Sequence, residues 1–253
     1  RMNINKTCPT SAFMILPTII LPLLFLPGCS PPAASPPPTP SGPVAEQSLE
    51  QQIAAVRVAS TDIILIESTP IGDIDLDLLE DVPGLRVLQF DHADNSLTDA
   101  GMVKLARLTP IEHLRIRGGS IGDDGLKTLP ALPNLKILNL PHGKFTDAGL
   151  AELKSLPQLQ SLRIGSPRVT DAGMAALKGF PNLRRVHLID IPITDRGLAD
   201  LLLIPKLDSL YLDGAKISDA AADDIFAKHP HLHVHFNQDH HDRDPHKHDH
   251  SQP

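Results

Sequence analysis

The sequence is poor in aromatic residues and in cysteine. It has no tryptophan, one tyrosine and two cysteines among 253 residues. Two cysteines cannot build the disulfide framework of a small secreted domain, so a hydrophobic core must hold the fold. Basic side chains are also in the minority, because 23 Lys and Arg stand against 30 Asp and Glu, for a formal net charge of −7. This balance argues against binding to nucleic acid or to an anionic membrane through bulk charge.

The sequence also lacks an apolar run long enough to cross a bilayer, which takes about 20 residues. Its most apolar stretch, Ala12–Leu26, is interrupted by Pro17 and Pro22. Basic side chains precede this stretch, and a small residue and a cysteine follow it. Residues 1–28 are therefore predicted to be an export signal peptide.

The end of this segment carries a second signal. Leu26-Pro27-Gly28-Cys29 resembles the bacterial lipobox, and the resemblance implies that Cys29 becomes the lipidated first residue of the mature protein. The alternative is an ordinary secretory signal that leaves Cys29 as a free thiol. Residues 29–44 are rich in proline and are predicted to be an extended linker. We therefore expect a lipid-anchored protein of the cell envelope that faces the periplasm or the exterior.

From about residue 61 onward the sequence repeats every 24 residues, a period that indicates a solenoid. Five consecutive units open with an L-x-x-L-x-L pattern, in which Ile or Val replaces some of the leucines. These units begin at Ile111, Leu135, Leu159, Leu183 and Leu207. The unit that begins at Leu85 is two residues longer, with the extra residues in Asp91–Ser96. The alternation of apolar and polar residues predicts one short, half-buried strand in each unit.

Each strand is followed by the signature of a helix start. A hydroxyl residue precedes an aspartate in five units, at Thr98, Thr146, Thr170, Thr194 and Ser218. The hydroxyl residue is a favourable N-cap, and the aspartate suits the positive end of the helix dipole. A row of metal-binding carboxylates is the alternative, but helix-start chemistry explains both residue types.

These units resemble the leucine-rich repeat family, in the subtype LxxLxLxxxxITDxGLxxL. The resemblance implies an α/β solenoid of about seven 24-residue repeats over residues 61–236, with parallel strands on the concave face and helices on the convex face. Residues 45–60 are predicted to form an N-terminal cap helix, and residues 237–253 form a tail rich in His and Asp. The buried Asn that is usual in the family is absent. Its place is taken by Gly119, Gly143, Pro167, Ile191 and Ala215.

The outward residues of adjacent strands are expected about 4.8 Å apart. Six basic side chains should then lie within roughly 15 Å of one another on the concave face. They are His113, Arg115, Arg117, Arg163, Arg185 and His187. Arginine binds carboxylate and phosphate groups in a bidentate manner, so we predict that this cluster contacts an anionic partner, together with the outward Tyr211. The alternative is a solvated face with scattered charge.

Nine of the 13 histidines fall between His229 and His250, a clustering typical of metal binding. His231, His233 and His235 are predicted to point outward on one strand, where neighbours about 6.7 Å apart can share one ion. Further candidate ligands follow at His240, His241, His246, His248 and His250. This mixture suits Zn, Ni or Cu without selectivity. The alternative is a solvated tail that binds metal only as any polyhistidine does.

The predicted function is non-catalytic recognition of an extracytoplasmic protein or anionic ligand, with no cofactor apart from those metals. Residues 118–122 fit the hydrolase motif G-x-S-x-G, but other side chains replace Ser120 in the sister units, so no enzyme is predicted. Two rival hypotheses remain. One is transition-metal sequestration by the His-rich C-terminus, and the other is a structural surface protein without a specific ligand.

Overall fold

The computed structural model describes residues 46–237 and 239–240, with the backbone alone for residues 94, 239 and 240. The predicted signal peptide, the predicted lipidation site Cys29 and the predicted linker lie outside the described residues, as do His241, His246, His248 and His250. Within the described ranges, no helix is long and apolar enough to span a membrane.

One sheet of nine strands, arranged in chain order, runs through the described residues. The strands are β1 (Ile63–Ile66), β2 (Val87–Thr98), β3 (His113–Ser120), β4 (Ile137–Leu140), β5 (Ser161–Gly165), β6 (Arg185–Ile189), β7 (Ser209–Asp213), β8 (His233–Phe236) and β9 (Asp239–His240). β1 to β8 are parallel. β9 turns back and pairs antiparallel with β8, so the sheet continues past residue 236, where the repeat domain is predicted to end.

Seven α-helices alternate with these strands in the described chain. They are α1 (Leu49–Arg57), α2 (Asp99–Leu105), α3 (Asp123–Thr128), α4 (Asp147–Glu152), α5 (Asp171–Leu177), α6 (Asp195–Leu201) and α7 (Asp219–Lys228). Short 3-10 helices occur at Asp75–Leu79, Leu129–Ala131 and Leu153–Ser155. The five predicted N-caps are confirmed, because each hydroxyl accepts a hydrogen bond from a backbone N–H in the first turn of its helix.

The apolar positions of the repeat fill the space between the sheet and the helices. The central apolar residues of the middle strands are all 0% exposed: Leu114, Leu138, Leu162, Val186 and Leu210. Burying one such side chain contributes about 1.5–3 kcal/mol, so the stacked column supplies much of the stability. In the longer unit, the register of β2 against β3 shifts twice, between Phe90 and Ala93 and between Ala93 and Thr98.

A ladder of aspartates joins neighbouring repeats. Asp147 accepts hydrogen bonds from the Thr170 N–H at 2.8 Å and from the Thr170 hydroxyl at 2.6 Å. The same two bonds join Asp73 to Thr98, Asp123 to Thr146, Asp171 to Thr194 and Asp195 to Ser218. Because four of these five aspartates open a helix and all five bind the cap residue of the next repeat, they contribute more than the helix-start role predicted from sequence.

The turn at Gly143, which lacks the usual Asn, is bonded through the backbone. Gly143 N–H donates to Gly165 O at 2.6 Å, and Lys144 N–H donates to Ile121 O at 2.7 Å. Both bonds cross between neighbouring repeats. Main-chain groups of adjacent units thus satisfy each other where a buried amide side chain would otherwise be needed.

A glycine two residues after each helix-opening aspartate makes room for the ladder. A Cβ at this position would lie 2.2 to 2.5 Å from an Oδ1 of the preceding repeat, at Gly101, Gly125, Gly149, Gly173 and Gly197. The last repeat has Ala221 there instead. Its cap Ser218 bonds the third N–H of the helix rather than the second, with φ at −73° where the capping threonines range from −109° to −128°.

Side chains cover the outer edge of β1. Leu65 N–H donates to Gln52 Oε1 at 2.7 Å and Gln52 Nε2 donates to Leu65 O at 2.6 Å, so an amide from α1 takes the place of a neighbouring strand. Ile63 N–H donates to Thr61 Oγ1 at 3.2 Å, and Glu67 N–H donates to the carboxylate of Glu46. Satisfied edge groups of this kind oppose pairing with another chain.

Candidate functional site

The concave face displays two columns of outward side chains in register across β1 to β8. The first column is Ile63, Val87, His113, Ile137, Ser161, Arg185, Ser209 and His233. The second is Leu65, Gln89, Arg115, Asn139, Arg163, His187, Tyr211 and His235. This alignment confirms the 24-residue register strand by strand.

A line of hydrogen bonds runs along the second column. Arg163 donates from Nη1 to Asn139 Oδ1 at 3.3 Å and from Nε to His187 Nδ1 at 3.2 Å. Because Nδ1 accepts, the proton of the neutral ring lies on Nε2, which is 2.8 Å from Asp213 Oδ2. The line therefore fixes the orientation of both the guanidinium and the imidazole before any partner arrives.

Asp213 was missed by the sequence analysis. It is the last residue of β7, its side chain is 14% exposed, and its Oδ1 has no hydrogen-bond partner among the described residues. The signal that would have found it is the third outward position, two residues after Tyr211, which corresponds to Asp91 and Arg117 in earlier units. A carboxylate at this position sets the tautomer of His187.

Four rings form a continuous cluster at the C-terminal end of the concave face. The Tyr211 ring is stacked on His235 with centroids 4.7 Å apart, and it lies 5.3 Å from His187 and 5.9 Å from His233. The His233 and His235 rings are themselves 4.5 Å apart. The single tyrosine of the chain therefore links the hydrogen-bonded pair Arg163 on β5 and His187 on β6 to the histidines of β8.

The arginines of the predicted basic cluster differ in how their charge is balanced. Arg115 forms an ion pair with Asp91 at 2.8 Å, with both side chains about one quarter exposed. Arg117 and Arg185 are exposed, and neither forms an ion pair with another described residue. Two of the four arginines thus keep their charge available to a partner.

The centre of the concave face has a positive field. Partial burial, followed by the nearby charges of Arg117 and Arg115, holds the pKa of Arg163 below its usual value. Burial, followed by the charge of Arg115, likewise lowers the pKa of His113, whose Nδ1 is 3.2 Å from Gln89 Nε2. Since the arginine charges disfavour one another, an anion bound among them would lower the energy of the site.

The architecture and the concave surface can be compared with known proteins. A family model described as Leucine Rich repeat matches residues 107–129. An internalin (inlF) from Listeria monocytogenes str. 4b F2365 is similar in structure, with a TM-score of 0.57 and 18% sequence identity over 77% of this chain and 52% of the internalin. The fold is a leucine-rich repeat solenoid.

The chain spans about half the length of that internalin. The plant peptide hormone receptor RGFR1, solved in complex with RGF2, aligns with a TM-score of 0.39 and 14% identity over 69% of this chain and 34% of the receptor. No curated protein has a sequence that matches this chain.

At the C-terminal end of the solenoid, the predicted metal ligands separate into two groups. β8 begins at His233, so His231 precedes the strand and does not share it with His233 and His235 as predicted. The reason is a turn that follows α7, in which Leu232 N–H donates to His229 O at 2.9 Å. The ring of His231 lies 6.1 Å from that of His229 instead.

The remaining metal predictions stay predictions. In the part of the chain that the structure describes, no group of three or more His, Cys, Asp or Glu is arranged to hold a metal ion. His240 stands opposite His235 in the pairing of β8 with β9, and its side chain is not described. The other tail histidines lie outside the described residues.

Proposed function

We propose that this solenoid is a non-catalytic recognition module that binds an extracytoplasmic partner with an acidic surface. The contact is the basic centre of the concave face, formed by Arg115, Arg117, Arg163 and Arg185 with His113 and His187. The observation that carries the proposal is the line from Asn139 through Arg163 and His187 to Asp213. It holds a guanidinium in place between two exposed arginines.

Preorganisation is the physical reason for this assignment. A free arginine side chain loses rotamer freedom when it binds, at a cost of about 0.5–1.5 kcal/mol. Arg163 has already lost much of that freedom, because its two bonds fix the plane of the guanidinium. Arg117 and Arg185 can then add charge-assisted bonds to carboxylates or phosphates of the partner. Solenoids of this kind also present an extended concave surface suited to a macromolecule.

The composition of the surface sets the expected strength of binding. Tyr211 is the single aromatic residue of the Phe, Tyr and Trp class in the two outward columns. Interface hot spots favour Trp, Tyr and Arg, so most of the binding energy here must come from arginine. We expect modest affinity that decreases as salt is added, because the exposed charges are screened within about 10 Å at 0.1 M salt.

Site-directed cross-linking tests the proposal and does not require that the partner be identified first. A photoreactive amino acid at Ser161 or Ser209, which flank Arg185 in the first column, should trap one specific species in producing cells. The double variant Arg117→Glu with Arg185→Glu should reduce this product about tenfold or more through reversal of two charges. The full chain is used throughout, and its thermal melting by circular dichroism verifies folding.

The matched control reverses two charges away from the concave face. Arg107, just after α2, and Lys127 on α3 are exposed, so Arg107→Glu with Lys127→Glu changes the net charge equally. This variant should retain the cross-link. Equal loss in both variants would mean that bulk charge decides binding, and no saturable product at either serine would favour the structural surface protein.

We further propose that Cys29 anchors the protein in the envelope. The support is the Leu26-Pro27-Gly28-Cys29 pattern behind a segment with the composition of a signal peptide. Metabolic labelling with a radioactive fatty acid should mark the wild-type chain and not Cys29→Ser, and the variant should leave the membrane fraction. Equal partition of both forms between membrane and soluble fractions would refute the anchor.

A further inference from the structure

The two outward histidines of β8 converge on one point. His235 Nε2 lies 2.6 Å from His233 Nε2, and the two rings meet edge to face with an interplanar angle of 64°. A contact of this kind in the neutral state needs one ring to donate through N–H and the other to accept through its lone pair. Strand geometry alone separates outward neighbours by about 6.7 Å, so the side chains turn toward each other to make this contact.

We propose that His233 and His235 chelate one divalent transition-metal ion at the C-terminal end of the concave face. Neutral imidazole is a common ligand for Zn, Ni and Cu, and both rings can offer an Nε2 lone pair to one ion once the donor ring carries its proton on Nδ1 instead of Nε2. The remaining coordination positions would be taken by water or by an anionic group of a ligand in the concave groove. The two ligands do not belong to the basic centre that defines the proposed function.

The distance between the two nitrogens favours one geometry. With metal–nitrogen bonds of about 2.05 Å, two ligands at 90° are about 2.9 Å apart, whereas two ligands at the tetrahedral angle are about 3.4 Å apart. The observed 2.6 Å is the separation of a hydrogen-bonded pair, so the rings must move apart to bind an ion, and they move less for the 90° arrangement of square-planar or tetragonal Cu(II) and Ni(II) than for a tetrahedral one. Cu(II) also forms the strongest complexes of the divalent first-row series, so we expect Cu(II) ahead of Ni(II) and Zn(II).

The neighbours of the pair hold it in place and supply a probe. Tyr211 is stacked on His235 with ring centroids 4.7 Å apart and an interplanar angle of 16°, which restricts rotation of that imidazole. Tyr211 is also the sole tyrosine of a chain without tryptophan. Its fluorescence therefore reports on this position alone, and a bound Cu(II) ion in contact with His235 should quench it.

The experiment is a titration of tyrosine emission with Cu(II) at neutral pH. It uses the full chain, in which the five downstream histidines are replaced by Gln so that they do not compete with the pair. The replaced residues are His240, His241, His246, His248 and His250. We expect saturable quenching with one ion per chain, reversed by a chelator. His233→Gln with His235→Gln should weaken the apparent affinity about tenfold or more, because both imidazole ligands are lost.

The matched control is a second histidine pair whose members are also two residues apart in the sequence. His229→Gln with His231→Gln removes two rings whose centroids are 6.1 Å apart, outside β8, and should leave the titration unchanged. Electron paramagnetic resonance of the Cu(II) complex should show nitrogen ligation that disappears with the His233 and His235 variant. Quenching that survives this variant, or that falls equally in the control, would overturn the site. Thermal melting of each apo variant separates loss of the ligands from loss of the fold.

Discussion

The close approach of Gly173 to the Asp147 carboxylate of the preceding repeat leads to a quantitative prediction about how neighbouring repeats are joined. The Asp147→Ala substitution removes two charge-assisted hydrogen bonds to Thr170, and at this partly exposed site we expect a loss of about 2–3 kcal/mol in the free energy of unfolding. The Gly173→Ala substitution places a Cβ 2.4 Å from Asp147 Oδ1, so the carboxylate must move and the same bonds are lost. Better helix propensity returns about 1 kcal/mol, which leaves a net loss of about 1–2 kcal/mol.

The double variant decides whether this account is right. The three atoms nearest to a Cβ at position 173 are Oδ1 and Cγ of Asp147 and Cδ2 of Leu150; with Asp147 replaced by Ala, Leu150 Cδ2 remains at 3.2 Å, and that side chain can yield. Gly173→Ala should therefore stabilise the Asp147→Ala protein by up to about 1 kcal/mol, a reversal of sign. Urea denaturation of the four proteins measures the cycle. Gly179→Ala, whose Cβ would have no contact closer than 3.7 Å, serves as the control, and a Gly173→Ala effect equal in both backgrounds would refute the reasoning.

Three further predictions concern the rest of the solenoid. Burial alone would raise the pKa of Asp123 and Asp171. The hydrogen bonds that both carboxylates accept from the next repeat outweigh this effect and hold each pKa below the usual 3.8. Hydrogen bonds from Ser218 likewise lower the pKa of Asp195. The stability from these depressed pKa values is complete above about pH 5, one unit above the unfolded-state value, and is lost as the pH falls through the folded-state values, so urea midpoints should decrease between pH 5 and pH 3. Leu162→Ala should lower the free energy of unfolding by about 2–5 kcal/mol, because the side chain is 0% exposed; a smaller loss would mean that the cavity collapses. Gln52→Ala should lower the free energy of unfolding by about 1–3 kcal/mol and speed hydrogen exchange at the amide of residue 65. Unchanged exchange would contradict the role of Gln52 at the edge of β1.

The solenoid was predictable because its signal is repeated. Each unit carries the same apolar spacing, and five units in register leave one solution for which residues face inward. The helix caps followed from local chemistry, since a hydroxyl residue before an aspartate is sufficient to mark a helix start. The contact of Asp147 with Thr170 was not predictable in this way, because it joins residues 23 apart in neighbouring repeats. Only the positions of the two repeats in space reveal it.

The concave face was predictable as a set of positions and not as a network. The register places Arg163 beside Asn139 and His187, but the direction of each hydrogen bond depends on side-chain torsions that the sequence does not determine. Asp213 was overlooked for the same reason, since its importance comes from one contact with His187. The strand position predicted for His231 was wrong because the turn after α7 uses residues that the repeat pattern would assign to the strand.

Tyr211 connects the two proposed sites, and this connection makes their coupling measurable. Its ring lies between His187, which is hydrogen-bonded to Arg163, and His235, which is one of the two proposed metal ligands. A divalent ion at His235 would add positive charge to a face that is already basic, and so should strengthen the binding of an acidic partner. Thermodynamic linkage requires that the partner strengthen metal binding by the same factor. Arg117→Glu with Arg185→Glu should therefore weaken partner binding, while Cu(II) binding to the free protein should be retained or become tighter because two positive charges near the ion are reversed. Loss of His233 and His235 should abolish only the metal-dependent part of partner binding. A partner affinity that is the same with and without Cu(II) would show that the two sites act independently.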